Sequence, residues 1–176
     1  MNYTKFYQYA LHFCFMNKVI LLLGANLGEP LLQLSSACVE ISRRVGVIAN
    51  KSNIYESEAW GVTDQPRFLN QALCIETELT PLEVLNEIQA IEILLGRLRL
   101  TKWGARTIDI DILYFNDLVY EDQRLIIPHP LLQERRFVLV PLNEIASEYI
   151  HPVLKTSNHD LLLSCIDPLK VNIHLP

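Results

Sequence analysis

Residues Arg106 to Phe115 read RTIDIDILYF, and this alternation constrains the chain more than any other stretch. Isoleucines at 108, 110 and 112 interleave with Asp109 and Asp111, so a period of two sends the apolar set to one side and both carboxylates to the other. Strands otherwise avoid aspartate. The pattern therefore asks for a sheet with one face covered by helices and another on which acids serve a purpose. The two carboxylates would sit about 6.5 to 7 Å apart along the chain. Like charges this close repel, so removing either one is expected to raise stability unless a cation stands between them.

A chain of 176 residues, half of them hydrophobic, with a mean hydropathy of +0.18, has enough apolar material for one core. One domain is expected over residues 18–176, preceded by an extension over residues 1–17. In that extension MNYTKFYQYALHFCFMN is interrupted by Gln8, His12 and Asn17 and carries one early charge, Lys5, so it does not read as a secretory signal. It is expected to be a disordered segment, or to lie upstream of a start at Met16. Nothing approaches the ~18 consecutive apolar residues of a membrane span. A net charge of −5 gives no broad basic field for nucleic acid, so anions must be met by local arginines. Four widely spaced cysteines without a C-x-x-C pair suggest free thiols and a cytoplasmic setting.

Lys18 to Leu23 is an apolar strand that runs into the turn GANLGEP, where Pro30 suits a helix start. Leu31, Leu34, Cys38, Ile41 and Val45 then recur at helical spacing up to Gly46. Val47 to Tyr55 reads as a strand, SEAWGVTDQPRF as a long loop, and Gln71 to Leu79 as a half-buried strand. The next helix starts with a capping box, Thr80 with Glu83 around Pro81, carries the stripe Leu85, Ile88, Ile91 and Leu95, and stops at a left-handed Gly96. After RTIDIDILYF, Asn116-Asp117 suggests a tight hairpin with a return strand, followed by a helical tail over residues 131–146. This order predicts an α+β fold: a ferredoxin-like βαββαβ core, its sheet largely antiparallel, with an added hairpin and C-terminal helices. Helices on one face would leave the other for ligands.

Oxygen-only donors such as Asp109 and Asp111 suit Mg²⁺, which keeps several waters and shares substrate phosphates. A solvated D-x-D is the plainer alternative. Arg97, Arg99, Lys102 and Arg106, within ten positions, favour the phosphate reading. Gln89 and Glu92, at i and i+3, form either a ligand-facing pair or a solvated helix face. Trp103 either packs or covers a flat heterocycle, and His129, between Pro128 and Pro130, either donates to a phosphate or sits in a turn. No Gly-x-x-x-x-Gly-Lys-Ser/Thr loop occurs, which excludes a P-loop cradle. The RLRLTKWGA segment is expected to be a mobile lid.

GANLG, DQPRFLNQAL, IQAIEILLGR, KWGARTIDIDILYF, IPHP and RRFVLVPLNEIA, in this order, together resemble the 6-hydroxymethyl-7,8-dihydropterin pyrophosphokinases of folate biosynthesis. The resemblance runs from Val19 to about Pro152. It implies transfer of pyrophosphate from ATP to the primary alcohol of a reduced pterin, with AMP released. It also implies two Mg²⁺ ions on Asp109 and Asp111, and catalytic arginines at Arg97 and Arg106. For the pterin it implies Asn70 with Phe68, a stack between Trp103 and Phe137, and a backbone contact near Ser57 and Trp60. ATP is expected to meet Gln89, Glu92, Arg99, Arg124, His129 and Arg135. The chain departs from the family pattern at Leu100, Ala105, Ile126 and Pro130, and its loop from Arg97 to Trp103 is one residue shorter than usual. A cytoplasmic monomer acting on small molecules, with neither nucleic acid nor membrane as partner, is the resulting expectation. The rivals are a ligand-sensing ferredoxin-like module, which the same fold permits, and a metal-dependent phosphohydrolase built on the same D-x-D.

Overall fold

The computed structural model of the chain describes residues 16–60, 64–97 and 106–175. The strands are β1 (Asn17–Ala25), β2 (Val47–Lys51), β3 (Tyr55–Ser57), β4 (Phe68–Thr77), β5 (Asp109–Phe115), β6 (Tyr120–Glu121), β7 (Ile126–Ile127) and β8 (Val171–Ile173). The helices are α1 (Pro30–Arg44), α2 (Pro81–Leu94), α3 (Arg136–Ala146) and α4 (Asn158–Ser164), with a 3-10 turn at Leu132–Glu134. The main sheet runs β5-β1-β4-β3-β8, with β2 also pairing β4, and every pairing in it is antiparallel. Asn17 opens β1, donates to Leu79 O at 3.1 Å and accepts from Asn116 at 2.8 Å.

β1 is apolar without alternation because it is covered on both sides. Val19, Leu21 and Leu23 meet α1 and α2 in one core, and Ile20 and Leu22 join Ala72, Leu113 and Tyr114 under α3 and α4 in another. This corrects the expectation of helices on one face. The C-terminal helices bury Val138, Leu139, Leu142 and Leu161 on the second face and leave open the end of the sheet that carries Gly24, Asn70, Asp109 and Asp111.

Helix α2 follows its sequence signals. Thr80 and Glu83 cap one another, Gly96 has a φ of +83°, and Val84, Leu85, Ile88 and Ile91 are buried. In α1 the buried stripe is Leu34, Ala37 and Ile41, continued by Val45 just past its end, with Leu31 left 46% exposed in the first turn. The strand expected over residues 47–55 breaks in two. At the break, the Ser52 hydroxyl accepts from Ala72 N at 3.0 Å and its carbonyl accepts from Gln71 at 2.8 Å, so this buried serine stands in for the ladder.

The hairpin differs as well. Asn116 turns the chain with a φ of +43°, but β6 and β7 pair with each other in a separate two-stranded sheet, and β5 remains an edge of the main one. The turn between them is made by Asp122, whose carboxylate accepts from Arg124 N at 2.7 Å and Leu125 N at 2.8 Å.

Candidate active site

Three strands present their site residues in one row. Gly24 of β1 lies opposite Asn70 of β4 on one side and Asp109 of β5 on the other, and Leu22 lies opposite Asp111. A Cβ on Gly24 would stand 3.2 Å from Asn70 Oδ1, so glycine leaves room for that amide. Asn70 is 2% exposed and donates to the Ser57 hydroxyl at 3.0 Å. The register of Ser57 against Phe68 fixes β3 at this place. These residues open into a cleft of about 90 Å³ whose walls include Trp60, Phe68 and Phe137, with Arg106, Asp109, Asp111 and Arg135 at its charged end. The Arg135 guanidinium lies 4.5 Å from the Trp60 ring centre and 5.8 Å from that of Phe137, within range of cation–π attraction.

Asp109 is already matched by cations. Arg97 donates to its Oδ1 at 2.7 Å and Arg106 pairs with its Oδ2. Arg97 also pairs with Glu92, whose Oε1 accepts from Ile110 N at 2.8 Å. Arg106 is held through its backbone: its N–H donates to Asn26 Oδ1 at 2.7 Å, and its carbonyl accepts from Asn26 N at 3.0 Å and Leu27 N at 3.1 Å. Asn26 further donates to Pro66 O at 3.1 Å, so the GANLG turn ties the β3–β4 connection to the start of β5. Sequence reasoning treated Asn26 as a turn residue and missed this. A polar side chain set between two glycines is the only trace of this in the sequence; its 4% exposure is a product of the fold.

A second cleft, of about 290 Å³, meets the first at Asp111 and is walled by Leu85, Ile88, Arg124, Ile126 and His129. Arg124 donates to Asn86 at 2.6 Å. Burial pushes the His129 imidazole below its ordinary pKa, against the opposing pull of the Asp111 charge, and its Nδ1 accepts from Leu131 N at 3.2 Å. Burial likewise lowers the Arg135 guanidinium, with Asp111 and Glu134 countering it.

Of the residues expected in the site, Ser57, Trp60, Phe68, Asn70, Arg106, Asp109, Asp111, Arg135 and Phe137 share the first cleft, Arg124 and His129 line the second, and Arg97 reaches Asp109. Gln89 lines neither, and Glu92 is 3% exposed and turned into the protein, so the two do not present a common ligand-facing surface. Arg99, Trp103 and the rest of the expected lid after Arg97 lie outside the described residues. No group of three or more metal-ligating side chains occurs among the described residues. Asp109 and Asp111 alone would provide a partial, all-oxygen shell on the exposed side of β5, which fits a hard cation completed by water and phosphate.

Residues 20–147 match the model of the 7,8-dihydro-6-hydroxymethylpterin-pyrophosphokinase family. The chain belongs to that family. Among its relatives, the 2-amino-4-hydroxy-6-hydroxymethyldihydropteridine pyrophosphokinase of Haemophilus influenzae is 44% identical over 131 residues, 74% of this chain and 82% of that one. The enzyme of the same name from Methylorubrum extorquens is 42% identical over 136 residues, covering 77% and 86%. A crystallised HPPK-DHPS in complex with substrates superposes with a TM-score of 0.68 at 16% identity, over 85% of this chain and 43% of that longer one. A Plasmodium falciparum HPPK-DHPS variant gives 0.68 at 21%, over 84% and 44%. These likenesses show the shared fold of helices on an antiparallel sheet. The pyrophosphokinase match places the two clefts, and the aspartates between them, inside the family segment.

Proposed function

We propose how this pyrophosphokinase, which transfers pyrophosphate to 6-hydroxymethyl-7,8-dihydropterin in folate biosynthesis, uses the two clefts: pterin in the first, ATP in the second, with Asp109 and Asp111 between them. The observation that carries this reading is that Asp111 lines both clefts while Asp109 shares the first with Asn70 and Arg106. The sheet order, with β4 between β1 and β2, supports describing the core as ferredoxin-like.

Asn70, aligned by Ser57, offers a donor and an acceptor to the amide edge of the pterin, and Phe68, Trp60 and Phe137 supply flat walls, with Trp103 as the closing one. Arg124 and His129, which line the second cleft, are with Arg99 the nucleotide side of the reading; Arg135 stands in the first cleft with Asp111, and Gln89 lines neither. Asp109 and Asp111 are the residues that would hold Mg²⁺, two ions in this proposal, and bound there the metal supplies charge neutralisation of the triphosphate. Arg97 and Arg106 both pair with Asp109. Phosphate oxygens offer these guanidiniums replacement anions, so nucleotide binding exchanges an internal partner for the reacting group. The pterin hydroxyl oxygen bonds to the β-phosphorus and gives up its proton to solvent, the bond from that phosphorus to the α–β bridging oxygen breaks, and AMP departs with that oxygen. Arg97 and Arg106 donate to the oxygens on which charge develops, and the clefts hold nucleophile and phosphorus in line. The protein acts in this reading as a cytoplasmic monomer. Among the described residues no helix is long and apolar enough to cross a membrane, and Cys38, Cys74 and Cys165 are free.

Incubation with ATP, Mg²⁺ and the pterin alcohol, followed by mass analysis, tests the reaction. AMP and the pterin diphosphate are expected in equal amounts. ADP in place of AMP, or release of inorganic phosphate, would overturn the assignment in favour of ordinary kinase or hydrolase chemistry.

A further inference from the structure

We infer that Glu92 is a positioning residue that acts through Arg97 rather than a nucleotide ligand; this rests on the role proposed above for Arg97. Glu92 belongs to α2, yet its carboxylate reaches the edge of β5 and accepts from the N–H of Ile110, the residue between the two aspartates. An edge strand leaves such N–H groups without a neighbouring strand, and here a buried side chain takes the neighbour's place. The same carboxylate pairs with Arg97, so one buried anion touches both the strand that carries Asp109 and Asp111 and the guanidinium beside them.

Backbone geometry strengthens the link. Gly96 in its left-handed conformation lets Arg97 N donate to Glu92 O at 2.9 Å and Gly96 N donate to Ile93 O at 3.0 Å, the double bond of a Schellman helix end. Arg97 is thus folded back over Glu92 by main chain and side chain together. Its guanidinium has two anions, Glu92 and Asp109. When Asp109 turns to another cation, Glu92 remains to hold Arg97 at the mouth of the site. At 3% exposure Glu92 has little surface to offer a nucleotide.

Glu92→Gln keeps an acceptor for Ile110 N–H and removes the charge that faces Arg97. The expected result is a kcat lower by about ten- to a hundred-fold, as for a misplaced catalytic group, with the KM for ATP and the affinity for an unreactive ATP analogue within about three-fold of the parent. In an Arg97→Ala background, Glu92→Gln should lower kcat no further, because residues acting through one another are not additive. Weakened analogue binding with unchanged kcat would make Glu92 a nucleotide ligand and overturn the inference, as would full additivity in the double variant. If Arg97→Ala alone leaves kcat unchanged, the proposed role of Arg97 falls and the inference falls with it, an outcome distinct from additivity on an intact Arg97 effect. Should Glu92→Gln fail to fold, Glu92→Asp, charged but one methylene shorter, must show the same loss in kcat without loss of analogue affinity.

Discussion

Asp109 takes Arg97 at 2.7 Å and Arg106 on its other oxygen, with the three side chains between 11% and 24% exposed. Asp111 makes no ion pair among the described residues and meets the fields of His129 and Arg135 instead. The repulsion foreseen between the two acids is therefore relieved at one of them by arginine, and the expected gain in stability on removing an acid reverses for Asp109. Asp109→Ala removes the anion that two largely covered guanidiniums share, leaving Arg97 with Glu92 alone of its two anions, and should cost on the order of 1 to 3 kcal/mol. That loss corresponds to a fall of several degrees in Tm. Asp111→Ala should move Tm less, while both variants lose turnover. Thermal melts of the two variants without Mg²⁺, alongside product assays, check this contrast. Equal Tm values would mean that the arginines do not depend on Asp109.

Helix α2 illustrates how an element's end can serve the site. Its start is secured by Thr80 and Glu83, and its end places Arg97. Added to Gly96, a Cβ would meet no atom within 4 Å, so Gly96→Ala brings backbone strain without a clash. The left-handed conformation costs an L-residue about 1 to 2 kcal/mol. Gly96→Ala should lose about that much in urea denaturation, and kcat should fall with it because relaxing the strain unseats the Arg97 N–H from Glu92 O. A variant of lowered stability and unaltered kcat would separate the helix end from the placement of Arg97. Gly46 shows the opposite case: a Cβ there would stand 2.2 Å from Glu76 O, so this glycine is required by close packing of the α1–β2 corner against β4.

At the scale of the whole molecule, two apolar cores are divided by one sheet. Burial lowers the pKa of both His129 and His151. His151, 4% exposed, accepts on Nδ1 from Val153 N at 3.2 Å and Leu154 N at 3.1 Å, bonds that the protonated ring cannot keep at that atom. A histidine whose folded pKa lies below its unfolded value contributes stability that is complete above about pH 6.5 and is lost as pH falls through the folded value. Tm should accordingly decline on acidification from neutrality to pH 5, and His151→Asn should flatten part of that decline. A Tm profile of His151→Asn parallel to that of the parent would remove His151 as a source. The second core depends on chain beyond the family segment, since Leu161 and Cys165 lie in it and Arg136 donates to Asp167 O at 3.0 Å and Cys165 O at 3.0 Å.

Signals carried by a few consecutive residues determined a definite share of this protein. The capping box at Thr80, the left-handed stop at Gly96 and the alternation that aligns Asp109 with Asp111 depend on φ preferences and side-chain periods, which act over one or two turns or a single strand. The ordered family motifs also named residues that share the two clefts. Contacts between distant parts of the chain were decided by the tertiary structure alone. Asn26 meets Arg106 across 80 residues, Glu92 reaches Ile110 across 18, and α3 and α4 cover a face that the strand pattern left open. β6 and β7 pair away from β5 for the same kind of reason: Asp122 makes its own turn, and Glu92 takes an edge N–H of β5. Pattern and propensity state which side of an element is apolar or charged, but which distant group answers it depends on distance and burial, which exist only once the chain is packed.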